Sequence, residues 1–441
     1  MASKHFLTVS NMSKAVIEAE YAVRGTMSIL AAKINKELKE GKKYPFTEIT
    51  ECNIGNPQVF GQAPFTYNRQ VLSAVMNPGL LSTNVYHKDV LKRAEGYLNE
   101  VPCGLGAYSD SQGFKMVREN IAKFIEKRDG IASNPENIYL TDGASIGLSA
   151  SLQTILSSPN DGVMLPIPQY PLYTALLSLN QAQKVPYYLN EKAGWRVTTE
   201  DLQRSYDEAK QKGINVRALV VINPGNPTGQ VLTASEILTI CEFASKNRLV
   251  ILGDEVYQKN IYKEGAKFTS FKKVVAENKV PVDLISFHST SKGLMGECGV
   301  RGGYFELHNI DPQVQAQITK LRTMYLCPNT TGQILTDLMV KPPTAQDTAP
   351  EVYEQFRKEE EAIFNSLKYR AQMVTKFLKG MKGVTCNEVE GAMYAFPRIH
   401  LPPRAIEEAK ARNISPDLLY TMEGIFLIKY KFDLLTIFSS P

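Results

Sequence analysis

The chain has 441 residues, of which 43% are hydrophobic and 22% are charged, proportions that suit a globular protein with more than one packed domain. Its net charge of +5 is spread over 50 basic and 45 acidic residues without a long basic block, so we expect small-molecule partners and no nucleic acid. Its six cysteines form no C-x-x-C pair, which argues against a disulfide framework and against a zinc site.

The first part of the chain, residues 1–105, has mostly helix and loop patterns and is expected to form the N-terminal part of a small domain. Its opening stretch, MASKHFLTVSNMSKAV, lacks the apolar centre of a signal peptide. It also lacks the Arg-rich amphipathic pattern of a mitochondrial presequence. We therefore predict a cytoplasmic location.

Residues 106–340 alternate short apolar runs with helix-like segments. The runs are NIYLTDG, GVMLPIP, ALVVINPGNPTG, RLVILGDEVY and DLISFHSTSKG. Short strands separated by helical crossovers indicate a mainly parallel sheet covered by helices, which is a doubly wound α/β fold. Between two of the runs, Thr233 and Glu236 have the spacing of a capping box and predict a helix start.

Residues 341–441 are expected to be the C-terminal part of the small domain, so that both chain ends form one α+β unit. The stretch VKPPTAQDTAP predicts a linker, Tyr353–Lys379 predicts a long helix, and VTCNEV and AMYAFPRI are typical of strands. Residues 421–441 are atypical. Their ending GIFLIKYKFDLLTIFSSP alternates like a strand from Phe426, and its three charges argue against a membrane-spanning helix, so no membrane partner is expected.

Ligands of open parallel sheets bind beyond the carboxyl ends of the strands, so the residues after each apolar run are the candidates for a site. The run YLTDGAS places Ala144 and Ser145 at a strand-to-helix turn, where backbone N–H groups and a hydroxyl could hold a phosphate. An ordinary Gly-Ser turn would have the same sequence, and both interpretations stay open.

Asn226 and Asp254 follow two further runs at the same predicted edge. The proline- and glycine-rich segment NPGNPTG could form a turn without any further role, but Asn226 adds an amide at the ligand edge. A carboxylate buried at Asp254 would need a cation or a strong hydrogen-bond partner, and a protonated pyridine nitrogen is one. Asp254 could equally cap the next helix, with Tyr257 on the same side of that turn.

Lys292 follows the last run and is surrounded by small residues, which would let its amine approach a cofactor. A lysine after a strand is often only a solvated surface group. Here, however, Ser289 and the possible phosphate ligand Arg301 lie nearby in sequence, and Asp254 and Asn226 share the expected edge. A lysine for an imine, a carboxylate for a ring nitrogen and a phosphate cup are the groups that pyridoxal phosphate needs.

The motifs GNP, TDGAS, PQYPLY, NPGNPTG, DEVY and STSKG, in this order, resemble the fold type I pyridoxal-phosphate aminotransferases. YAVRG, NIGNPQ, AYSDSQG and CNEVEGAMYAFP are similar to motifs of the alanine aminotransferases, and the match is expected to run from about Val23 to about Tyr420. The resemblance implies a fold type I enzyme that transfers an amino group from alanine to 2-oxoglutarate. A different small amino donor stays an alternative.

The resemblance also implies a role for each matching residue. Lys292 would form the imine and move the substrate proton, Asp254 would pair with the ring nitrogen, and Tyr257 and Asn226 would hydrogen-bond the ring oxygen. The remaining roles are a ring-stacking Tyr170, a phosphate site of Ala144, Ser145, Ser289 and Arg301, a Gly55 that lets the substrate carboxylate approach, and a Tyr108 that reaches the neighbouring subunit's cofactor. The last role implies a homodimer.

The family is also expected to supply a late arginine that forks onto the substrate's α-carboxylate. The last arginine of this chain is Arg412, and a lysine lacks the planar fork. The sequence therefore predicts a whole cofactor site with impaired turnover of alanine, or a chain that binds the cofactor without turnover.

Two other enzyme classes fit less well. STSK matches the S-x-x-K of penicillin-binding acyltransferases, but neither S-D-N nor K-T-G occurs in the chain. GLGAYS and GECGVRGG both miss the G-x-G-x-x-G of a nicotinamide-binding dehydrogenase.

Overall fold

The computed structural model describes residues 5–19, 21, 25–49 and 55–427. A seven-stranded sheet forms its centre. The strands are β1 (Ile138–Thr141), β2 (Asp161–Ile167), β3 (Gln183–Tyr188), β4 (Asn215–Ile222), β5 (Val250–Asp254), β6 (Leu284–Ser289) and β7 (Gly303–His308). Their order across the sheet is β1-β7-β6-β5-β4-β2-β3, and β7 alone runs antiparallel to its neighbours. The predicted mainly parallel α/β sheet is confirmed.

Helices cover both faces of this sheet and form the flanking regions. Those before β1 are α1 (Lys14–Glu18), α2 (Thr26–Lys39), α3 (Thr66–Met76), α4 (Lys88–Glu100) and α5 (Lys115–Asp129). Those between strands are α6 (Ala144–Ile155), α7 (Leu172–Leu179), α8 (Thr199–Gln211), α9 (Ala234–Lys246) and α10 (Phe271–Asn278). After β7 follow α11 (Pro312–Thr323), α12 (Thr330–Val340), α13 (Pro350–Gly380), α14 (Pro403–Ala411) and α15 (Pro416–Leu427).

The apolar runs of the central strands are continuous because both faces of the sheet are buried. Within β4, Leu219 and Val221 join one core with α8, α9 and α10, whereas Val220 and Ile222 join a second core with α6, α7 and α11. Successive side chains of a strand point to opposite faces, so an unbroken apolar run serves two cores. Burial of each such side chain stabilises the fold by about 2 kcal/mol.

Helix α9 begins as its sequence predicts. Thr233 accepts a hydrogen bond from the backbone of Glu236, whose side chain accepts one in return from the backbone of Thr233, so the capping box is present. The helix then connects β4 to its neighbour β5, and this short crossover keeps the carboxyl ends of the two strands at one edge.

The structure adds two strands that the sequence patterns did not predict, β3 and β7. β3 lies at the edge of the sheet, and several of its side chains are exposed, so it lacks an apolar run. β7 is buried and antiparallel, and its first residue, Gly303, pairs with Ser289 of β6 and with Thr141 of β1. The start of β7 therefore lies at the edge where β1 and β6 end.

The regions that flank the sheet pack on each other. Helices α3 and α4 share an apolar core with α12 and α13, which includes Val71, Leu338 and Phe356. The long helix α13 contains the predicted Tyr353–Lys379, and the short strands β8 (Val384–Thr385) and β9 (Arg398–Ile399) pair antiparallel. The domain boundaries at residues 105 and 340 stay a prediction.

Helix α15 extends to Leu427, so the strand predicted from Phe426 is wrong for its first two residues. Residues 428–441, which hold the rest of that pattern, lie outside the described part of the chain. Among the helices of the described residues, none combines the length and the hydropathy of a membrane span.

Candidate active site

The candidate residues from distant parts of the sequence meet at one edge of the sheet. Ile222, at the end of β4, pairs with Asp254 of β5, which in turn pairs with Phe287 of β6. The parallel register therefore brings the segments that carry Asn226, Asp254 and Lys292 to the same edge, as ligand sites of this fold require.

Lys292 lies against the segment that contains Gly55. Its Nζ donates a hydrogen bond to the carbonyl oxygen of Gly55. A Cβ on Gly55 would lie 3.2 Å from this Nζ and would collide with the hydroxyl of Tyr394. Only a glycine leaves this space open, which fits a position where a ligand approaches the backbone.

Asp254 is not a helix cap, because a turn over residues 256–259 follows β5 where a helix start would be needed. The hydroxyl of Tyr173 donates to its Oδ2 at 2.6 Å. Its Oδ1 is buried and has no hydrogen-bond partner in the described part of the chain. Burial raises the pKa of Asp254 and outweighs the lowering effects of the Tyr173 hydroxyl, the Val256 backbone and the charge of Lys292. A cationic N–H donor at Oδ1 would satisfy this carboxylate.

Asn226, Tyr257 and Tyr394 form a chain of hydrogen bonds. Asn226 Nδ2 donates to the hydroxyl of Tyr257 at 3.4 Å, and that hydroxyl donates to Tyr394 at 3.2 Å. Tyr257 is only 1% exposed, and burial raises its pKa well above the ordinary value. Its hydroxyl therefore stays protonated at neutral pH.

An anion cradle lies at the N-terminus of α6. Arg301 donates through Nη2 to the carbonyl oxygen of Asp142 at 2.8 Å and to Ser145 Oγ at 3.3 Å. Gly143 precedes the helix with φ +81°, and a Cβ there would lie 2.6 Å from Arg301 Nη2. Ala144 and Ser145 begin the helix, whose first N–H groups have no partner within it. An arginine beside a helix N-terminus favours a phosphate.

Ser289, the last residue of β6, is buried and pairs with Gly303 of β7. Gly303 packs against the start of α6, since a Cβ on it would lie 3.1 Å from the backbone nitrogen of Ala144. Ser289 therefore lies near the anion cradle. Ser289 Oγ accepts a hydrogen bond from the backbone of Ser291 at 3.3 Å. Its own proton is therefore available to an anion.

Tyr170 and Tyr108, both predicted from the family resemblance, differ from each other in burial. Tyr170 is half-buried, and its hydroxyl lies 3.0 Å from that of Tyr21. Tyr108 is 76% exposed and hydrogen-bonds none of the other candidate residues within the described chain.

Sequence reasoning missed Tyr173 and Tyr394, which contact the candidate residues directly. Both lie in motifs that the resemblance used, PQYPLY and CNEVEGAMYAFP. The only sequence signal for Tyr173 was its position three residues after Tyr170, and nothing local marked Tyr394 as a neighbour of Tyr257.

A family model matches most of the chain, since the model described as "Aminotransferase class I and II" matches residues 80–433. The chain belongs to this aminotransferase family. It is therefore an enzyme of the transferase class, and its family depends on pyridoxal phosphate. The match extends past Tyr420, so the prediction that the resemblance ends there is wrong.

Two curated relatives and one solved structure show how far the similarity extends. The chain is 46% identical over 436 residues to "Probable alanine aminotransferase, mitochondrial" of Dictyostelium discoideum, covering 96% of this chain and 81% of the relative. It is 45% identical over 425 residues to "Glutamate–glyoxylate aminotransferase 2" of Arabidopsis thaliana, covering 95% and 86%. An aminotransferase structure from Escherichia coli matches with a TM-score of 0.71 and 25% identity, covering 97% and 90%.

The residues at this edge fit pyridoxal phosphate. Among the described residues Asp254 Oδ1 has no partner, and a protonated ring nitrogen could provide one, while the cradle beside Arg301 has the donors that a phosphate needs. Lys292 supplies an amine at the same edge, and its charge acts on Asp254 to lower the pKa of that carboxyl. These residues supply three groups: the Arg301 cation for the phosphate, the Asp254 carboxylate for the ring nitrogen and the Lys292 amine as a nucleophile for the aldehyde.

Proposed function

We propose that the protein transfers the amino group of alanine to 2-oxoglutarate, forming pyruvate and glutamate. The observation that carries the proposal is the position of Lys292, Asp254 and the Arg301 cradle at one edge of the sheet, where Asp254 Oδ1 has no hydrogen-bond partner among the described residues. Similarity to an alanine aminotransferase over nearly the whole chain supports the choice of amino donor.

We assign the following roles to the chain's own residues. When bound, pyridoxal phosphate supplies an electron-withdrawing ring that stabilises negative charge at the substrate α-carbon. Lys292 links to the cofactor and then accepts and returns the proton at that carbon. Asp254 holds a proton at the ring nitrogen, while Tyr257 and Asn226 donate to the ring oxygen. Gly55 leaves room for the substrate carboxylate.

The remaining roles concern binding of the cofactor. Arg301, Ser145, Ser289 and the start of α6 at Ala144 bind the phosphate through charge and hydrogen bonds. Tyr170 covers one face of the ring, and its hydroxyl contact with Tyr21 would hold it in place.

Cofactor loading and borohydride labelling test the site. The protein loaded with pyridoxal phosphate should absorb visible light, and borohydride should bleach this band and add mass to a peptide that contains Lys292. The matched control is Lys212→Ala, a change at the exposed lysine that follows the last residue of α8. This variant should label normally, whereas Lys292→Ala should not. Label on another lysine, with Lys292 unmodified, would contradict the site.

A coupled assay for pyruvate from alanine and 2-oxoglutarate tests the reaction. The similarity to the glutamate–glyoxylate aminotransferase makes glutamate with glyoxylate the second candidate pair. The two pairs are to be compared by kcat/KM in the same preparation. A cofactor-loaded protein that labels at Lys292 but turns over neither pair would favour the cofactor-binding chain with impaired turnover.

We also propose a homodimer in which Tyr108 reaches the cofactor site of the partner subunit. Tyr108 is highly exposed, and Met324, Tyr325 and Leu326 expose further apolar surface. Hydrogen bonds from Gln333 to Ser109 (3.0 Å) and from Thr323 to Ser111 (3.2 Å) place these two segments side by side. Apolar surface of this kind favours burial against another protein surface.

Sedimentation and mixed dimers test this arrangement. The loaded protein should sediment as a dimer. A dimer with Tyr108→Ala in one subunit and Lys292→Ala in the other should differ in activity from one with both changes in the same subunit. Equal activities would show that Tyr108 serves no partner site.

We propose that the protein works in the cytoplasm. The free thiols of Cys103, Cys298 and Cys327 fit a reducing compartment, which the cytoplasm shares with the mitochondrial matrix. The Dictyostelium relative is named mitochondrial, so cell fractionation is the decisive measurement. Recovery with matrix marker enzymes would contradict the proposal.

A further inference from the structure

Tyr394 lies in the loop between β8 and β9, and this loop is fixed to the edge of the central sheet. The backbone N–H of Gly391 donates to the carbonyl oxygen of Gly229 at 2.8 Å, and that of Ala392 donates to Asn260 at 2.9 Å. The hydroxyl of Tyr262 donates to the carbonyl oxygen of Ala392 at 2.7 Å. The loop therefore holds its position relative to the segments that follow β4 and β5.

Glu390 anchors the same loop through its side chain. Its carboxylate accepts hydrogen bonds from Arg196 at 2.9 and 3.0 Å, from Lys263 at 2.6 Å and from the backbone of Val231 at 2.9 Å. Glu390 is only 9% exposed, so solvent competes little for these bonds. Tyr394, four residues later, is thus presented from a fixed backbone.

The Tyr394 ring borders both Tyr257 and the space above Gly55. The two tyrosine rings meet edge to face, with centroids 6.1 Å apart and an interplanar angle of 87°. Tyr394 Cζ and Lys292 Nζ would each lie 3.2 Å from a Cβ on Gly55. Tyr394 therefore belongs to the same small space as the reactive amine, although no role for it followed from the motif.

The hydroxyl of Tyr257 can donate only one proton. In the structure it accepts a hydrogen bond from Asn226 and donates its own proton to the hydroxyl of Tyr394. An anionic ring oxygen can only accept, so donation from Tyr257 to the cofactor requires this proton to turn away from Tyr394. The hydroxyl of Tyr394 carries a proton of its own and can then donate back to Tyr257 across the same 3.2 Å contact.

We propose that Tyr394 is a positioning residue that, by donating to the Tyr257 hydroxyl, turns the Tyr257 proton toward the ring oxygen of the cofactor. The proposal rests on the proposed function of the site. A hydroxyl that accepts one hydrogen bond becomes a stronger donor in the next, so Tyr394 strengthens the contact that Tyr257 makes. Tyr394 acts on the cofactor through Tyr257.

The test is a pH titration of the visible absorbance of the cofactor-loaded protein. Tyr394→Phe removes the hydroxyl and keeps the ring. Weaker donation destabilises the anionic ring oxygen, so the pH midpoint of the absorbance change should rise by about half a unit. For alanine, kcat should fall by about two- to fivefold with KM nearly unchanged, because only proton placement is altered. An unshifted midpoint would overturn the proposal.

A double-mutant comparison separates this role from a structural one. Tyr257→Phe alone should shift the midpoint further, and Tyr257→Phe with Tyr394→Phe should titrate like Tyr257→Phe alone, because Tyr394 acts through Tyr257. A midpoint in the double variant that adds both shifts would refute this route. Tyr262→Phe is the matched control, since it removes a hydroxyl that holds the same loop without touching Tyr257. An equal shift in that control would assign the effect to loop position.

The behaviour of the parent protein distinguishes a failure of the proposed cofactor site from a failure of the proposed role of Tyr394. If the parent neither develops the visible band nor labels at Lys292, the proposed site fails. If the parent does both and Tyr394→Phe titrates normally, only the role of Tyr394 fails. Tyr394→Phe should still load cofactor, because Asp254 and Arg301 are untouched; loss of loading would contradict a positioning role.

Discussion

Replacement of Asp254 by asparagine should damage the loaded enzyme and spare the cofactor-free protein. The amide keeps the shape of the side chain but cannot pair with a protonated ring nitrogen. Loss of one partner from a buried ion pair costs about 3 to 5 kcal/mol. At about 1.4 kcal/mol per tenfold change, kcat/KM for alanine should fall at least about 100-fold.

Without cofactor, Asp254→Asn should keep or raise the thermal stability of the protein. Burial raises the pKa of Asp254, so its carboxyl stabilises the cofactor-free fold at low pH, and this contribution is lost as the pH rises above the unfolded value of about 3.9 through the folded pKa. As the pH rises, the parent has to ionise a buried carboxyl whose Oδ1 has no hydrogen-bond partner among the described residues, whereas an asparagine carries no such cost. The variant should melt at the same temperature as the parent or higher, and its advantage should vanish toward pH 4.

The neighbouring carboxyl supplies the matched control for this experiment. Glu255→Gln makes the same acid-to-amide change one residue away, at a side chain whose oxygen accepts from the backbone of Phe271 at 2.8 Å. Its kcat/KM should stay within a fewfold of the parent. If Asp254→Asn retains activity to the same extent, or destabilises the cofactor-free protein at every pH, Asp254 is a structural carboxyl and the assignment fails.

Three further predictions concern the cradle and the buried carboxyls. Gly143→Ala should weaken pyridoxal phosphate binding and destabilise the protein by about 1 to 3 kcal/mol, measured by cofactor titration and thermal melting, because the left-handed backbone disfavours a Cβ that would also displace Arg301. Burial raises the pKa of Glu255 to about 7, so parent stability should fall by up to about 3 kcal/mol between pH 4.5 and 7, and denaturant unfolding of Glu255→Gln should lack this slope. Burial alone would raise the pKa of Glu390, but the hydrogen bonds from Lys263 and Val231 outweigh it and lower that pKa. Glu390 therefore stabilises the protein above its unfolded pKa of about 4.3 and loses this contribution as the pH falls through the folded pKa, so Glu390→Gln should destabilise at pH 7 and less so at pH 3.

The sequence predicts the centre of the sheet because burial on both faces leaves a strong pattern. β4 and β5 are nearly unbroken apolar runs, and helix α9 between them carries its own capping signal. β3 gave no such pattern because an edge strand exposes part of its length. The antiparallel direction of β7 depends on which strands it joins, and this is decided by packing far from its own residues.

The same difference between local sequence patterns and long-range packing explains which residues of the candidate site could be predicted. The position of Asn226, Asp254 and Lys292 at one edge could be predicted because each follows an apolar run, and the parallel register brings the ends of such runs together. Tyr394 could not, since it reaches the site only when the loop around Glu390 docks on the sheet edge. A contact made by docking leaves no periodic signal in the local sequence.

Asp254 and Glu255 show how a strand end separates two carboxyls that are adjacent in sequence. Consecutive side chains of an extended chain leave on opposite faces, so the two acids cannot both enter the site. Glu255 has partners within the fold, because it accepts from the backbone of Phe271 and feels the charge of Arg128, although burial outweighs both and raises its pKa. Asp254 has the hydroxyl of Tyr173 on one oxygen and no partner on the other within the described residues. Since a buried carboxylate without full pairing is unfavourable, the unpaired Oδ1 of Asp254 among the described residues supports the proposal that Asp254 is the acid that pairs with a cationic ligand.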